Sequence, residues 1–315
     1  MATSPFPRRL YKYKTFSPQS LELLLADKVY FADPSMFNDP LDTRPRLEPD
    51  LDNDALQTLL VRLAETRLTS TLVAAAKTMK SRGPRTQAHI ATTARRLAQA
   101  IVQKIEYDAS NPEFGVPVDV AKTWLLRHAV EVELFRQYEK GILSLASRYN
   151  CPLMWSHYGD QHRGICFGYS VPSGRALELD KVRYGGSRLV RASDVVAMLD
   201  GDGNARNRVD EGVLFRKARD WRYEKEWRLI GKRGLSDSPL ELEEVVFGLR
   251  CPAVVIHAVA RALNGRDRPV KLYEIQERPG TFLLQRMAID VDDLDRAYPR
   301  RALTVEEAFS TIEPV

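Results

Sequence analysis

The amino-acid sequence predicts an α+β fold: a split, mainly antiparallel sheet that carries a helical insertion. Three observations predict it. Short runs rich in strand formers occur near the start of the chain and again throughout its second half. Between them, over residues 51–140, leucines at Leu56, Leu59, Leu60 and Leu63 recur at the i, i+3, i+4, i+7 spacing of a helix face. Finally, few intervals between the later strands hold helices regular enough for repeated βαβ units, which favours antiparallel pairing.

Taken in order, residues 10–14 read as a strand, and Ser17-Pro18 as a helix cap with proline in the first turn, leading into a helix over 20–26. Residues 29–32 form a second strand. Asp33-Pro34 and Phe37-Asn38-Asp39-Pro40 then supply turn chemistry twice. Breaks at Ser81-Arg82-Gly83-Pro84 and over Asn111–Pro117 divide the helical stretch into three helices of roughly 20 residues or more each. Expected strands follow at 142–147, 164–171, 181–184, 227–231, 245–248, 254–257, 271–275 and 281–288. This divides the chain into an N-terminal part of the core (1–50), the insertion (51–140), the sheet-rich remainder (141–290) and a peripheral helix and tail (291–315).

With 315 residues, 44% hydrophobic and 28% charged, the composition is that of an ordinary globular protein able to bury a large core. No apolar run approaches the roughly 20 residues needed to span a bilayer, and residues 1–9 lack the apolar segment of a secretory signal. No membrane partner is expected, and a cytoplasmic location is the default. Cys151, Cys166 and Cys251 are odd in number and lack C-x-x-C spacing, so buried free thiols are expected rather than a disulfide framework or a zinc ribbon. The net charge of +5, from 47 basic and 42 acidic residues, permits a polyanionic partner without demanding one. Arg95-Arg96 and the other basic residues of the insertion read as a solvated face, with nucleic-acid binding as the alternative.

Two motifs carry chemistry. From Cys151 to Gly164, Pro152 can start a short helix and Gly159 end it, leaving His157 and Tyr158 in its last turn with Asp160, His162 and Arg163 close behind. A hydrogen-bonded network that fixes a helix-to-strand turn is the plain alternative. His157 and His162 stand five apart across a glycine, which disfavours a shared metal.

In the second motif, Trp221 to Ile230, strand alternation would place Glu224, Glu226 and Arg228 on one face and Tyr223, Trp227 and Leu229 on the other. Carboxylates two apart on a strand raise each other's pKa while a guanidinium opposes the effect, an arrangement suited to an oxocarbenium-like transition state. A surface ladder of Glu–Arg pairs is the alternative. Asp200-Gly-Asp-Gly-Asn204 with Glu211 imitates a calcium loop but has Ala205 where that loop needs glycine, so a flexible acidic loop is expected.

Leu10-Tyr11-Lys12-Tyr13, the segment 31–42, Met154-Trp155-Ser156-His157-Tyr158 through Gly164, and Trp221 to Arg228 followed by Phe247-Gly248-Leu249 together resemble the bacterial "domain of unknown function 2971" family. The likeness covers most of the chain outside the insertion. It departs at Leu145-Ala146-Ser147, where the family has Cys-Phe-Ser.

The order of these motifs is also similar to that of ADP-ribosyltransferases, including DNA-modifying toxins, in which NAD lies in the cleft of a split sheet. That resemblance implies Lys12 at the position usually held by His or Arg, Ser147 as the second-strand serine, and Glu224 and Glu226 as the acidic motif. It further implies NAD contacts from Lys12, Tyr13, Ser147, His157, Tyr158, Arg163 and Arg228. The expected function is therefore that of an NAD-consuming enzyme, a mono-ADP-ribosyltransferase or NAD glycohydrolase, acting as a toxin or defence effector with a nucleic-acid or protein acceptor. A non-catalytic nucleic-acid or protein-binding module is the alternative, and a metal-dependent nuclease the third reading.

Overall fold

A computed structural model of the chain describes residues 6–138, 140–297 and 304–310. The first elements are β1 (Leu10–Lys14), α1 (Pro18–Leu25) and β2 (Lys28–Phe31). Ser17 caps α1 in a reciprocal arrangement with Ser20, and Pro18 fits the first turn, where no backbone N–H is needed. After β3 (Arg46–Glu48) come three long helices, α2 (Asn53–Thr78), α3 (Pro84–Ala109) and α4 (Val118–Gln137). The chain then forms β4 (Lys140–Ala146), α5 (Pro152–Tyr158) and β5 (Ile165–Ser170).

Next are the short strands β6 (Leu179–Lys181), β7 (Arg183–Tyr184) and β8 (Leu189–Arg191), followed by α6 (Ala192–Leu199), α7 (Gly203–Leu214) and β9 (Arg216–Lys217). A 3-10 helix (Arg219–Glu224) leads into β10 (Glu226–Lys232), β11 (Gly234–Asp237) and β12 (Glu241–Phe247). The described chain ends with α8 (Ala253–Leu263), β13 (Lys271–Glu277), β14 (Leu284–Ala288), α9 (Val291–Ala297) and α10 (Val305–Phe309). The remainder of the expected tail, 298–303 and 311–315, lies outside the described residues, as do residues 1–5 of the expected signal-free N-terminus.

The main sheet has eight strands in the order β14-β13-β12-β5-β1-β4-β10-β6, all neighbours antiparallel except β12 with β13. This is a mixed α+β fold built on a large, mainly antiparallel sheet. Its central ladder is uneven. β1 pairs with β5 along its whole length, yet meets β4 in register only at Tyr11 and Ala146. The amino group of Lys12 instead reaches the Ser144 carbonyl at 2.9 Å. On β4 and β10 the paired glycines Gly141 and Gly231 let Phe31 lie across the sheet, since a Cβ on either would come within 2.6 Å of that side chain.

One apolar core lies between the sheet and α1 and α8, formed by Leu10, Leu24, Phe167, Val245, Phe247, Val259 and their neighbours. A second joins α2–α4 to α6 and α7 through Leu56, Leu60, Leu63, Leu126, Val195, Val213 and Leu214, and reaches the sheet at Ile142 and Ile230. The helices α2–α4 thus share their core with the second half of the chain.

Several sequence expectations require correction. Residues 254–257 lie in α8, not in a strand: Val254-Val255-Ile256 is β-branched, but Ile256, Val259, Ala260 and Leu263 bury a helical stripe. The intervals after β8 hold two regular helices, and the acidic segment 200–204 is not a loose loop, because Asp202 caps α7 through its contact with Asn204 N. The strand expected over 181–184 is divided between β6 and β7, and the last hairpin strand starts at Leu284 rather than 281. Glu224 ends a 3-10 helix, so strand alternation does not place it beside Glu226. Among the described residues no helix is long and apolar enough to cross a membrane, and all three cysteines are free.

Candidate active site

A cavity of about 400 Å³ opens where β1 and β4 cease to pair. Lys12 and Tyr13 border it from β1, Ser144 and Ala146 from β4, and His157 and Tyr158 from α5. Phe37 and Asn38 close one side, and Asp42, Lys217, Glu224 and Glu226 line its charged wall.

Lys225, in the left-handed conformation (φ 45°, ψ 50°), joins the 3-10 helix to β10. This kink, rather than strand alternation, brings both carboxylates of Glu224 and Glu226 to one cation. Lys217 Nζ lies 2.6 Å from Glu224 Oε2, 3.2 Å from Glu226 Oε2 and 3.3 Å from Asp42 Oδ2. The backbone of β9 holds Lys217 opposite Tyr184 of β7, and the Tyr184 hydroxyl accepts the Glu226 N–H at 2.7 Å. Arg228, fully buried, donates to Glu226 Oε1 from Nε at 2.9 Å, to Asp42 from Nη2 at 2.7 and 2.8 Å, and to the Leu214 carbonyl from Nη1. Its guanidinium also stands over Phe37.

Three carboxylates (Asp42, Glu224, Glu226) therefore form ion pairs with two cations (Lys217, Arg228), and a third cation of the same cavity, Lys12, feels the charge of both glutamates. The titration of the two glutamates diverges. Burial pushes Glu224 up, and the charge of Glu226 adds to this against the pull of Lys217. Burial acts on Glu226 as well, but Arg228 and Lys217, with hydrogen bonds from Arg228 and Ser144, hold it at about 2. Across the cavity, burial and the charge of Lys14 lower Lys12 to about 8. The Lys217 ammonium goes the other way: burial opposes its charge, and the three carboxylates outweigh burial. These are the opposed environments from which one carboxyl acts on a proton while another stays ionised.

The expected site residues divide into two groups. Glu226, Glu224, Lys12, Tyr13, His157 and Tyr158 do border the cavity. The Tyr158 hydroxyl donates to Glu224 Oε1 at 2.8 Å, and exposed His157 stands at the rim near Tyr223. The Tyr13 ring lines the site but its hydroxyl turns away to the Arg148 carbonyl. Arg228 lies behind the charged wall as its buried counter-ion and does not border the cavity.

Ser147 and Arg163 are misplaced by the sequence reading. β4 ends at Ala146, so Ser147 turns to the opposite side and donates its N–H to the Lys225 carbonyl; the serine at the cavity is Ser144, paired with Arg228. Arg163 is exposed at the end of a turn in which Asp160, Gln161 and His162 all have positive φ, and that turn runs away from the cavity to Arg250. His162 stacks beside Trp155 and faces Ser156. Among the described residues no group of three or more His, Cys, Asp or Glu is placed to hold a metal ion.

Sequence reasoning missed Asp42 and Lys217. The signal was one of charge balance: two buried glutamates and a single arginine within one motif call for another cation from elsewhere in the chain.

Residues 154–229 match the model of the DUF2971 family, a protein family of unknown function. The DUF2971 match takes in α5 from Met154 onward, Lys217, both glutamates and Arg228, and so bears out the resemblance drawn from the Trp-Ser-His-Tyr and Trp221–Arg228 motifs. Lys12, Asp42 and Ser144, which complete the site, lie outside the matched span. No curated protein and no solved structure matches the chain significantly.

Proposed function

We propose that the protein consumes NAD, as a mono-ADP-ribosyltransferase or an NAD glycohydrolase. One observation carries this reading: Glu224 and Glu226, with pKa values displaced in opposite directions, stand on one wall of a cavity at the parting of two sheet strands. When the bond between nicotinamide and the ribose C1′ breaks, its electron pair leaves with nicotinamide and a positive charge remains on the sugar. The carboxylates at the cavity wall meet that cation, with ionised Glu226 nearest in role. An acceptor hydroxyl or water then bonds to C1′ and gives its proton to Glu224, whose raised pKa makes it the more basic of the pair. Lys12, His157 and Tyr158 border the substrate, with Lys12 available to a ribose hydroxyl or phosphate.

A second reading, that of a non-catalytic binding module, is favoured by a different observation: Lys217, Arg228 and Tyr158 already satisfy the carboxylates, as they would in a purely structural network.

The deciding experiment is incubation of purified protein with NAD, alone and with added DNA, RNA or cell extract, following nicotinamide release by chromatography. Release by wild type that Glu226→Gln abolishes while remaining folded is the expected result. No release under any condition, or equal release by the variant, overturns the NAD reading.

A further inference from the structure

On the other side of the segment from Tyr223 to Trp227, a groove of about 950 Å³ is lined by residues that alternate with Glu224, Glu226 and Arg228. Five cations converge on it: Arg148, Lys181, Arg219, Arg222 and Lys225. None has a carboxylate within ion-pair distance among the described residues, and Asp220 is the sole acidic residue in the lining. Four of the five are exposed; Arg148 is half-buried, and elsewhere the same chain pairs most arginines of that burial, as with Arg67 on Glu133 and Arg216 on Glu211. Unpaired cations that share one concavity raise the local potential and favour a polyanion.

The groove also offers aromatic surface. Tyr184, Tyr223 and Trp227 are each half-buried in its wall: Trp227 packs one side on the core and its edge meets Phe6, Tyr223 lies beside His157 and Trp221, and each keeps part of its surface toward the groove. Tyr184 is anchored through its hydroxyl to the Glu226 N–H, and Tyr223 through its carbonyl to Arg148 Nη2 at 2.8 Å, so both are set by the backbone around them. Cations alone would accept any polyphosphate. Cations interleaved with fixed aromatic faces suit unpaired bases, which can stack only when they are not already stacked in a duplex.

We infer that this groove binds single-stranded nucleic acid, with the five cations on the phosphates and the three aromatic side chains against the bases. The inference does not depend on NAD chemistry, and it locates such binding on the sheet rather than on the basic residues of α3.

The test is fluorescence anisotropy with a dye-labelled single-stranded oligonucleotide in DNA and RNA arms, a blunt duplex of the same sequence, and inorganic polyphosphate as competitor, all without NAD. Wild type should bind the single strands and prefer them to the duplex. Arg219→Glu combined with Arg222→Glu, both at exposed positions, should weaken binding at least about 10-fold and flatten the salt dependence by about 1.4 logarithmic units per decade, since each lost phosphate contact on a single strand removes ~0.7. Trp227→Leu should narrow the preference for oligonucleotide over polyphosphate. Arg95→Glu with Arg96→Glu, exposed on α3, should bind like wild type. Absence of single-strand binding at physiological salt, loss confined to the α3 variant, or equal competition by polyphosphate at matched phosphate concentration would each overturn the inference. Agreement between the DNA and RNA arms supports recognition through phosphate and base faces; a strong difference identifies the natural strand.

Discussion

Two buried charge clusters flank Tyr11 in the same sheet, and they differ in their composition and in what they face. Toward β12, Glu244 meets Arg286 and accepts the Tyr11 hydroxyl at 2.9 Å, while the Arg286 guanidinium lies 4.6 Å from the Tyr149 ring centre and 4.1 Å from that of Tyr273. Room for this carboxylate comes from Gly168, paired with it across the strands, where a Cβ would lie 2.4 Å from Glu244 Cγ. One negative charge meets one positive, and aromatic rings enclose the pair. Toward β10, three carboxylates share two cations beside an open cavity. Both clusters satisfy their hydrogen bonds, so satisfaction does not separate a structural network from a working one. The difference lies in access: the carboxylates toward β10 face an open cavity, and Glu244 does not.

The most severe way to break this contrast is to neutralise one glutamate in each cluster. Glu226→Gln should lower NAD-dependent nicotinamide release by about 10²-fold or more, the usual scale for a carboxylate acting on the transition state, whereas Glu244→Gln should leave it within a few-fold. Equal losses, with both variants folded, would erase the distinction.

Removing the arginines comes next. Arg228→Met leaves Glu226 and Asp42 buried with only Lys217 between them and should cost about 3–5 kcal/mol in urea unfolding. Arg286 is about a quarter exposed, and its replacement by Met should cost clearly less, because its guanidinium is already screened by water and the Tyr11 hydroxyl still donates to Glu244. A larger loss at Arg286 would reverse the ranking.

Acidity sharpens the comparison further. Because Glu226 is held at about 2, well below an ordinary glutamate, it contributes stability that is full above the unfolded-state value near 4.5 and fades as pH falls toward 2. Wild type should therefore lose more stability across that interval than Glu226→Gln, as measured by denaturant midpoints. On the alkaline side, Lys12 titrates near 8 instead of 10.5, so any activity that needs its charge should fall roughly 10-fold per pH unit well above 8. Lys12→Arg should carry that limb to higher pH, and an unchanged profile would remove Lys12 from the site.

The smallest effect concerns the kink. Lys225 is exposed and left-handed, so Lys225→Gly should raise stability by up to about 1 kcal/mol, and Lys225→Val should lower it by a similar or larger amount. With nicotinamide release unchanged in Lys225→Gly, the turn is shown to act only by setting where the two glutamates point.

What the sequence made legible was local. The Ser17-Pro18 cap, the three long helices, the seven-residue helix ending at Tyr158 and the strand at Leu10 all follow from spacing and capping chemistry over fewer than about 20 residues. The misses have two physical sources. Val254–Ile256 looked like a strand because β-branched residues favour strands, while the apolar stripe continuing to Leu263 decided for a helix. At the candidate site the gap is one of distance. Asp42 and Arg228 are 186 positions apart, and no periodicity relates them. The roles of Lys217 and Ser144, and the exclusion of Ser147 and Arg163, depend on where β4 ends and on the left-handed turn at Lys225. Residue type alone specifies neither.

Arg228 also bears on what can stand alone. Two of its carboxylate contacts come from Asp42, outside the span that matches the family, and the strand that carries it is zipped to β4, which is outside as well. Excised as a peptide, residues 154–229 would hold a guanidinium stripped of half its counter-ions, a β10 cut at Leu229 and unpaired on its β4 side, and a β5 unpaired on both edges. Such a fragment should aggregate rather than fold. The span that matches the family model is thus expected to be shorter than the folding unit of this chain, and a minimal version is expected to begin no later than β1.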